Sequence, residues 1–595
     1  MGFISGLRAL ISETENFFVE YGSVYVALNL SAIVALLVLT RVQPWLVFIC
    51  SSGLLYLSGI LSLDKVLAGY TNPSLLVLVL LLFVSIPLER TALVRRTVKA
   101  VVNGSGQRST LTLGLFSACI SSFVNNTAVV AAMLGPLKKQ QSMAPSRLLL
   151  PLSYASIVGG TVTLIGTSTN LIINGFVQQA GYPPLGFFEF SAVGIPVVIG
   201  CLITMVVLAP KLLPNREIKL SSASQEYLLE RQVVSGSPLI GCSVQENGLR
   251  HLEKVFLIEV IRRQRVIAPV SPQVVLEEGD ILVFSGDLSA IDLLDDFAGL
   301  GHPEHFDQMV RDNLVEVIVS PSASVVGRSI RAVGFRSKFD AAVVAVRRGN
   351  ERLQGGLGQL KLKAGDALVL AIGGDFRRRN DKAADFILVG GIDANRSLSQ
   401  REEITMFCSF GVVVALGATG FVPLIKGLIV LMAIMLFTRM LSLDDVKVRF
   451  PFELIVVIAG ALGLSQAMFD TGLSQQIGEF AAFHLNGLSP LGALIGVFAL
   501  TWLLTELVTN NAAAAIMFPL AMALASQWGD QHLPFVMAVA FGASASFLSP
   551  YGYQTNLMVY SAGNYRIVDY LKFGLPVLVV YASIAITMTV VNYKL

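Results

Sequence analysis

Two stretches set asparagines side by side in otherwise apolar sequence: NNTAVVAAMLGPL (125–137) and TNNAAAAIMFPL (509–520). A side-chain amide offers an acceptor oxygen and two donor hydrogens without net charge. In a medium that excludes water, such a group meets a cation through oxygen or an anion through nitrogen without burying a charge of its own. The chemistry on offer is ion binding, with the paired asparagines Asn125, Asn126, Asn510 and Asn511 as the groups that would do it. Each stretch is followed by a glycine-containing loop that ends in Asn, GTSTN (166–170) and GYQTN (552–556).

The elements around these motifs are membrane spans. The chain has 595 residues, 54% of them hydrophobic and 14% charged, and a mean hydropathy of +0.69. Uncharged runs such as 22–40, 42–63, 109–137, 148–188, 507–528 and 574–593 reach or exceed the length that crosses a bilayer. The expectation is a polytopic α-helical membrane protein. The opening MGFISGLRALISETENF lacks a continuous apolar core and is not read as a signal peptide. Cys50, Cys119, Cys201, Cys242 and Cys408 form no CxxC and read as small buried hydrophobes. A net charge of +3 on this length gives no sign of nucleic-acid binding.

The membrane sequence repeats. LSLDKV (61–66) returns as LSLDDV (441–446), and the paired asparagines and Asn-ending loops follow each copy in the same order. Lys/Arg at positions 95, 96, 99, 138, 139, 147, 447 and 449 place those loops in the cytoplasm by the positive-inside tendency. With about five spans per half, an odd number, the second copy is inverted. The asparagine stretches then read as tips of re-entrant hairpins, about 109–137 and about 488–520, in repeats 1–214 and 401–595. Backbone leaves a helix at that depth only where protein or a wet cavity satisfies it. Helix starts there attract anions and freed carbonyls attract cations.

Between the halves lies a charged insert with strand-like segments, VFLIEVIRRQRVI (255–267) and DILVFSG (280–286). It holds two copies, with Gly279-Asp280 and Gly365-Asp366 each preceding an apolar strand as turn signals. The copies, 215–302 and 303–400, resemble the small α+β TrkA-C (RCK-C) ligand-sensing domains. That resemblance implies two cytosolic domains that dimerise or take a small-molecule regulator.

The whole arrangement resembles the divalent anion:sodium symporter family of the ion-transporter superfamily, in the branch with paired TrkA-C domains. The segment SPYGYQTNLMVYSAGNYRIVDYLKFGLP (549–576) is especially similar to that branch. The family's Ser-Asn-Thr tips are replaced here by Asn125-Asn126-Thr127 and Thr509-Asn510-Asn511, the central asparagine being kept. The resemblance implies a first sodium site from Ser121, Asn126, Gly166 and Asn170. It implies a second from Thr505, Asn510, Gly552 and Asn556 with the backbone near Val508. The anion would lie on the tip residues, helped by Thr167 and Ser168. It further implies sodium as coupling ion, no other cofactor, an elevator motion and a homodimer; the apolar spans imply lipid contact, and the absence of a targeting signal favours an inner (plasma) membrane location. The tips carry no arginine, which suits a compact dianion such as sulfate.

A di- or tricarboxylate, or proton coupling, stays open. A ligand-gated channel would need a filter sequence such as TVGYG, which does not occur. No Ser/His/Asp, metal-ligand or phosphate-loop constellation argues for an enzyme. A sulfur-status sensor is a further reading. Glu506 is an ionisable group in an apolar hairpin, either held by backbone donors or linked to a cation. His484 and His532 sit at segment ends and read as interfacial.

Overall fold

The computed structural model describes residues 21–595 apart from 41, 90–105, 140–142, 217–227, 250–254, 263–264, 268–269, 287–297, 302–313, 321–322, 350, 354–356, 373–375, 377–384, 391–399, 449, 485–488 and 529–530. The opening segment and the basic positions 95, 96, 99 and 449 lie outside the described residues, as does the His484 side chain.

The first membrane half runs through α1 (Gly22–Leu39), α2 (Pro44–Leu57), α3 (Leu63–Tyr70), α4 (Pro73–Glu89), α5 (Gly106–Ser121), α6 (Asn126–Lys139), α7 (Leu149–Gly160), α8 (Ser168–Gln179) and α9 (Ser191–Leu212). After the insert come α12 (Gln400–Ala418), α13 (Leu424–Phe437), α14 (Leu443–Val448), α15 (Phe452–Asp470), α16 (Leu473–His484), α17 (Pro490–Leu507), α18 (Asn510–Ala525), α19 (His532–Ser544), α20 (Gln554–Ala562) and α21 (Ile567–Tyr593). The second half repeats the order of the first, with α16 added: long, medium and short helices, then two helix pairs broken at the asparagine motifs, then a long closing helix.

Six stretches among the described residues are long and apolar enough to cross a bilayer, namely 22–39, 63–87, 191–212, 452–470, 490–507 and 567–593. Their outer faces are apolar too. Ile195, Ile199, Ile203 and Val207 form an exposed i, i+4 ridge on α9, and Leu571, Leu575 and Val579 another on α21. Such ridges suit lipid rather than water. The protein is a polytopic helical membrane protein.

In lipid, helices associate through close packing and hydrogen bonds more than through apolar burial. The core helices α7 and α19 are accordingly buried almost all round and use small residues. A methyl group on Gly159 would strike the Ala118 backbone, and one on Gly542 would lie 3.0 Å from the Phe498 carbonyl. Thus α7 lies hard against α5, and α19 against α17. Cys201 is buried, but Cys50, Cys119 and Cys408 are exposed on helix faces. A thiol is apolar enough for lipid, so burial was not needed at those positions.

The insert forms two five-stranded antiparallel sheets. The first orders its strands β3-β2-β4-β1-β5 and the second β8-β7-β9-β6-β10, the same topology. The strands are β1 (Leu228–Val233), β2 (Val255–Arg262), β3 (Arg265–Ile267), β4 (Ile281–Gly286), β5 (Leu300–Gly301), β6 (Leu314–Val319), β7 (Ala341–Arg348), β8 (Glu351–Leu353), β9 (Ala367–Ile372) and β10 (Phe386–Gly390). Two short helices, α10 (Ile330–Val333) and α11 (Phe335–Phe339), precede β7.

The Gly-Asp turns have one construction in both copies. Gly279 and Gly365 adopt φ of 80° and 82°, as only glycine does cheaply. Asp280 Oδ2 accepts from the Glu277 N–H and both its oxygens take Arg262. Asp366 does the same with the Lys363 N–H and Arg348. The lobes pack on each other through Ile261 and Val283 against Ala342, Val344 and Ala371.

Candidate functional site

The asparagine motifs fall where helices break. In the first half α5 ends at Ser121 and α6 begins at Asn126; in the second α17 ends at Leu507 and α18 begins at Asn510. The hairpin helices extend past the expected limits, to Lys139 and Ala525. Each hairpin faces a second break, between α7 and α8 and between α19 and α20, and these breaks are the Asn-ending loops.

The breaks interlock crosswise. From the first tip, Asn126 Nδ2 donates to the Tyr553 hydroxyl (2.7 Å) and Thr127 Oγ1 to Gln554 Oε1 (3.3 Å), both in the second loop. From the second tip, Asn510 Nδ2 donates to Thr169 Oγ1 (2.9 Å), while Asn511 Oδ1 accepts from Ser168 (3.1 Å) and Thr169 (3.2 Å) in the first loop. Helix packing follows the same rule, with α6 on α20 and α8 on α18. Tip one on loop two and tip two on loop one is the reciprocal pattern that a pseudo-twofold arrangement produces.

Four helix starts, those of α6, α8, α18 and α20, therefore meet in one cluster, each carrying orphan N–H groups and the positive end of a helix dipole. The ends of α5, α7, α17 and α19 bring their last carbonyls behind them. The arrangement can hold an anion among N–H groups, amides and hydroxyls, and cations among carbonyl and hydroxyl oxygens.

Around the first break, Ser121 Oγ donates to Asn126 Oδ1 (2.6 Å) and lies 2.9 Å from Ser156 Oγ. Asn170 Nδ2 donates to the Thr163 carbonyl (2.9 Å), which leaves its buried Oδ1 without a partner. Gly166 is packed where a methyl group would meet the Gly160 carbonyl. Ser121, Asn126, Gly166 and Asn170 thus flank the same pair of breaks, and the open Asn170 oxygen is the kind of donor a small cation takes. A cleft against lipid-side helices reaches Asn125, Gly166 and Ser168.

Around the second break the oxygens are differently engaged. Thr505 Oγ1 donates to the Ala543 carbonyl (2.7 Å). Gly552 lies so that a methyl group would come 2.7 Å from the Thr505 carbonyl. Asn556 Nδ2 donates to the Ser546 carbonyl (2.9 Å), but its Oδ1 accepts from Ser153 (2.7 Å). Buried Ser544 Oγ is left without a partner. Val508 caps α17 in extended backbone, and Thr509 Oγ1, on an exposed residue, accepts from the Ala512 N–H (3.3 Å) as the N-cap of α18. Asn125 spends its Oδ1 on the Thr127 N–H (2.9 Å). Asn125 and Thr509 are therefore helix caps before they are ligand groups.

Sequence reasoning missed several members. Tyr553 bridges Asn126 and Thr167, its oxygen 3.2 Å from Thr167 Oγ1. Ser122 donates to the Gly159 carbonyl (3.1 Å) and its own carbonyl accepts from Thr163. Ser153, Ser156 and Ser544 line the breaks from behind. Their signal was the density of small hydroxyls in SYASIVGGTVT and ASASFLS just before each loop. Removing the Tyr553 hydroxyl strips a buried partner from Asn126, worth about 1 kcal/mol. Tyr553→Phe is expected to weaken ion binding at the first tip about fivefold, read by calorimetric titration of the purified protein with candidate ions.

The profile of a family described as citrate transporters (CitMHS) matches residues 34–532. Among curated proteins, a candidate sulfur deprivation response regulator of Chlamydomonas reinhardtii is 31% identical over 91% of this chain and 97% of its own length. An uncharacterized transporter of Synechocystis is 28% identical over 93% of this chain and 95% of its own length. Sodium/sulfate cotransporter 1 of Chlamydomonas reinhardtii is 30% identical over 60% of this chain and 42% of its own length.

Proposed function

Since the chain belongs to the CitMHS citrate-transporter family of the ion-transporter superfamily, and is therefore a transporter rather than an enzyme, we propose that it imports a divalent anion, sulfate above others, with sodium. The observation that carries the reading is the meeting of four helix starts and two uncharged amides, Asn126 and Asn510, across the two halves. Sodium and sulfate both stand in the names of two similar proteins of Chlamydomonas reinhardtii, sodium/sulfate cotransporters 1 and 2, which supports the reading. The first cation lies at Ser121, Asn126, Gly166 and Asn170, and the second at Thr505, Val508, Asn510, Gly552 and Asn556. The anion lies between the tips on Asn125, Asn126, Thr127, Thr509, Asn510 and Asn511, with Thr167 and Ser168. Cation binding fixes both tips and supplies the positive charge that draws the dianion.

The movement is an elevator. The body of α5–α9 and α17–α21 is knit by α9 on α21, while a second group outside it has α2 and α3 packed on α15 and, separately, α4 on α13. Sliding of the first group along the second would expose the same site to either side, if the halves are inverted. In this reading the second group forms a homodimer in the plasma membrane, and the two sheet domains are cytoplasmic TrkA-C lobes.

The test is uptake of labelled sulfate into proteoliposomes with an inward sodium gradient, a choline control and a proton gradient, with citrate and succinate as competitors. Sulfate uptake that requires sodium is expected. Uptake driven equally in choline, or by the proton gradient alone, would remove sodium coupling; displacement by citrate at far lower concentration than by sulfate would move the substrate to carboxylates.

A further inference from the structure

The second sheet domain is docked on the very helices whose starts build the site. Lys138, near the end of α6, is buried and reaches Glu316 of β6 at 2.6 Å. Glu316 also meets Arg347 of β7 at 3.6 Å. Arg347 in turn donates to the Ser561 carbonyl of α20 at 2.6 Å. The Ser561 hydroxyl accepts from the Gly349 N–H at 3.2 Å and donates to the Gly365 carbonyl. Ile318 and Ala367 are buried in the same apolar cluster as the membrane helices, with Ile387 packed against it.

The fit needs glycine twice over. Gly349 and Gly365 have φ of 58° and 82°. A methyl group on Gly349 would lie 2.6 Å from the Tyr560 hydroxyl, and one on Gly365 would run into Leu557. The first lobe has the same turn, and there it stands clear. Nothing lies within 4 Å of a methyl group placed on Gly279. Opposite β4 and β9 in equivalent register, Ile261 stands where the second lobe has Arg347, and it is spent on packing between the lobes. One copy of the repeat has been adapted to grip α6 and α20, and the other is tied to it, with Arg336 donating to the Leu257 (3.0 Å) and Val270 (3.2 Å) carbonyls.

We propose that this surface, the Glu316–Arg347–Gly365 face of the second lobe against Lys138 and Ser561, is the control contact of the transporter, linking the state of the lobes to Asn126 and Asn556 through α6 and α20. The inference rests on the proposed ion site. The contact joins the lobe to both halves of that site at once, so the lobe belongs to the body that carries the ions. Coupling of this kind is reciprocal: a lobe held firmly favours the ordered tips, and cations at the tips tighten the clasp.

Amide hydrogen exchange on the full-length protein in nanodiscs, sodium chloride against choline chloride, tests it. Sodium is expected to slow exchange at the tip 121–127 and, with it, at 345–349, 365–368 and 557–562. Protection at the tip with none at the clasp overturns the coupling; no protection at the tip overturns the sodium site and the coupling together. As an independent arm, Glu316→Ala should raise the sodium half-saturation about fivefold, and Lys138→Met with Glu316→Ala should return it to within about twofold, since the buried ammonium then goes with its carboxylate and Arg347 keeps the Ser561 carbonyl. Folded Glu316→Ala protein with unchanged sodium dependence would overturn the proposal.

Discussion

Asn126→Ala and Asn510→Ala are each expected to abolish sodium-driven anion uptake while leaving the protein folded. The Asn126 amide accepts from Ser121 at 2.6 Å and donates to Tyr553 at 2.7 Å, in a site where only 3% of its surface is exposed. Truncation takes one hydrogen bond from each of the Ser121 and Tyr553 hydroxyls, which keep Ser156 and Thr167, at about 1 kcal/mol per bond. Together that is roughly 30-fold or more in affinity for whatever the ordered tip binds. Asn510 holds the other tip to Thr169 at 2.9 Å, and its loss leaves Asn511 alone to hold that loop to the opposite hairpin. Uptake in proteoliposomes and sodium binding by calorimetry, with thermal unfolding as the folding control, read the result. Sodium affinity close to wild type in both variants would take the cations away from these residues.

What could be read from sequence was whatever repeats or alternates. The spans were legible because a bilayer demands long apolar runs, and the paired breaks because NNT and TNN, GTSTN and GYQTN recur in order. The two small sheets were legible from Gly279-Asp280 and Gly365-Asp366, which turn out to hold the same Arg262 and Arg348 clamps. Partnership across the halves was not legible. Nothing in GYQTN says that Tyr553 will bond to Asn126, a residue 427 positions away, because the contact depends on how two hairpins cross. Nor does a buried Lys138 announce itself among basic loop residues. Its charge is tolerable only because Glu316 arrives from another domain. Burial alone would push the Glu316 carboxyl up, but Lys138 and Arg347 more than offset this and hold it below the usual carboxylate range. The carboxylate's part in the contact is thus fully present above that range and is lost as pH falls through the lowered value.

Glu506→Ala should be the most damaging single change outside the asparagines, and Glu506→Gln should be mild. Glu506 occupies the place in its hairpin that Ser122 holds in the first, one residue after Thr505 and Ser121. Both positions hold the facing loop. Ser122 does so through its hydroxyl on the Gly159 carbonyl at 3.1 Å and its carbonyl on Thr163. Glu506 does so through one carboxylate oxygen that accepts the N–H groups of Phe547 and Leu548, each at 3.0 Å. Those residues lead into the loop on which Gly552 and Asn556 sit, so the carboxylate fixes the backbone behind the proposed second cation site. Alanine removes both acceptor contacts from buried N–H groups, about 2–4 kcal/mol in all, and should weaken sodium binding by roughly 100-fold. Glutamine keeps an oxygen that can accept from both donors, so sodium half-saturation should stay within about threefold of wild type. A direct cation ligand would behave otherwise, because an amide lacks the charge. Equal loss in the glutamine and alanine variants would therefore make Glu506 a ligand of the second cation instead of the clamp on its loop.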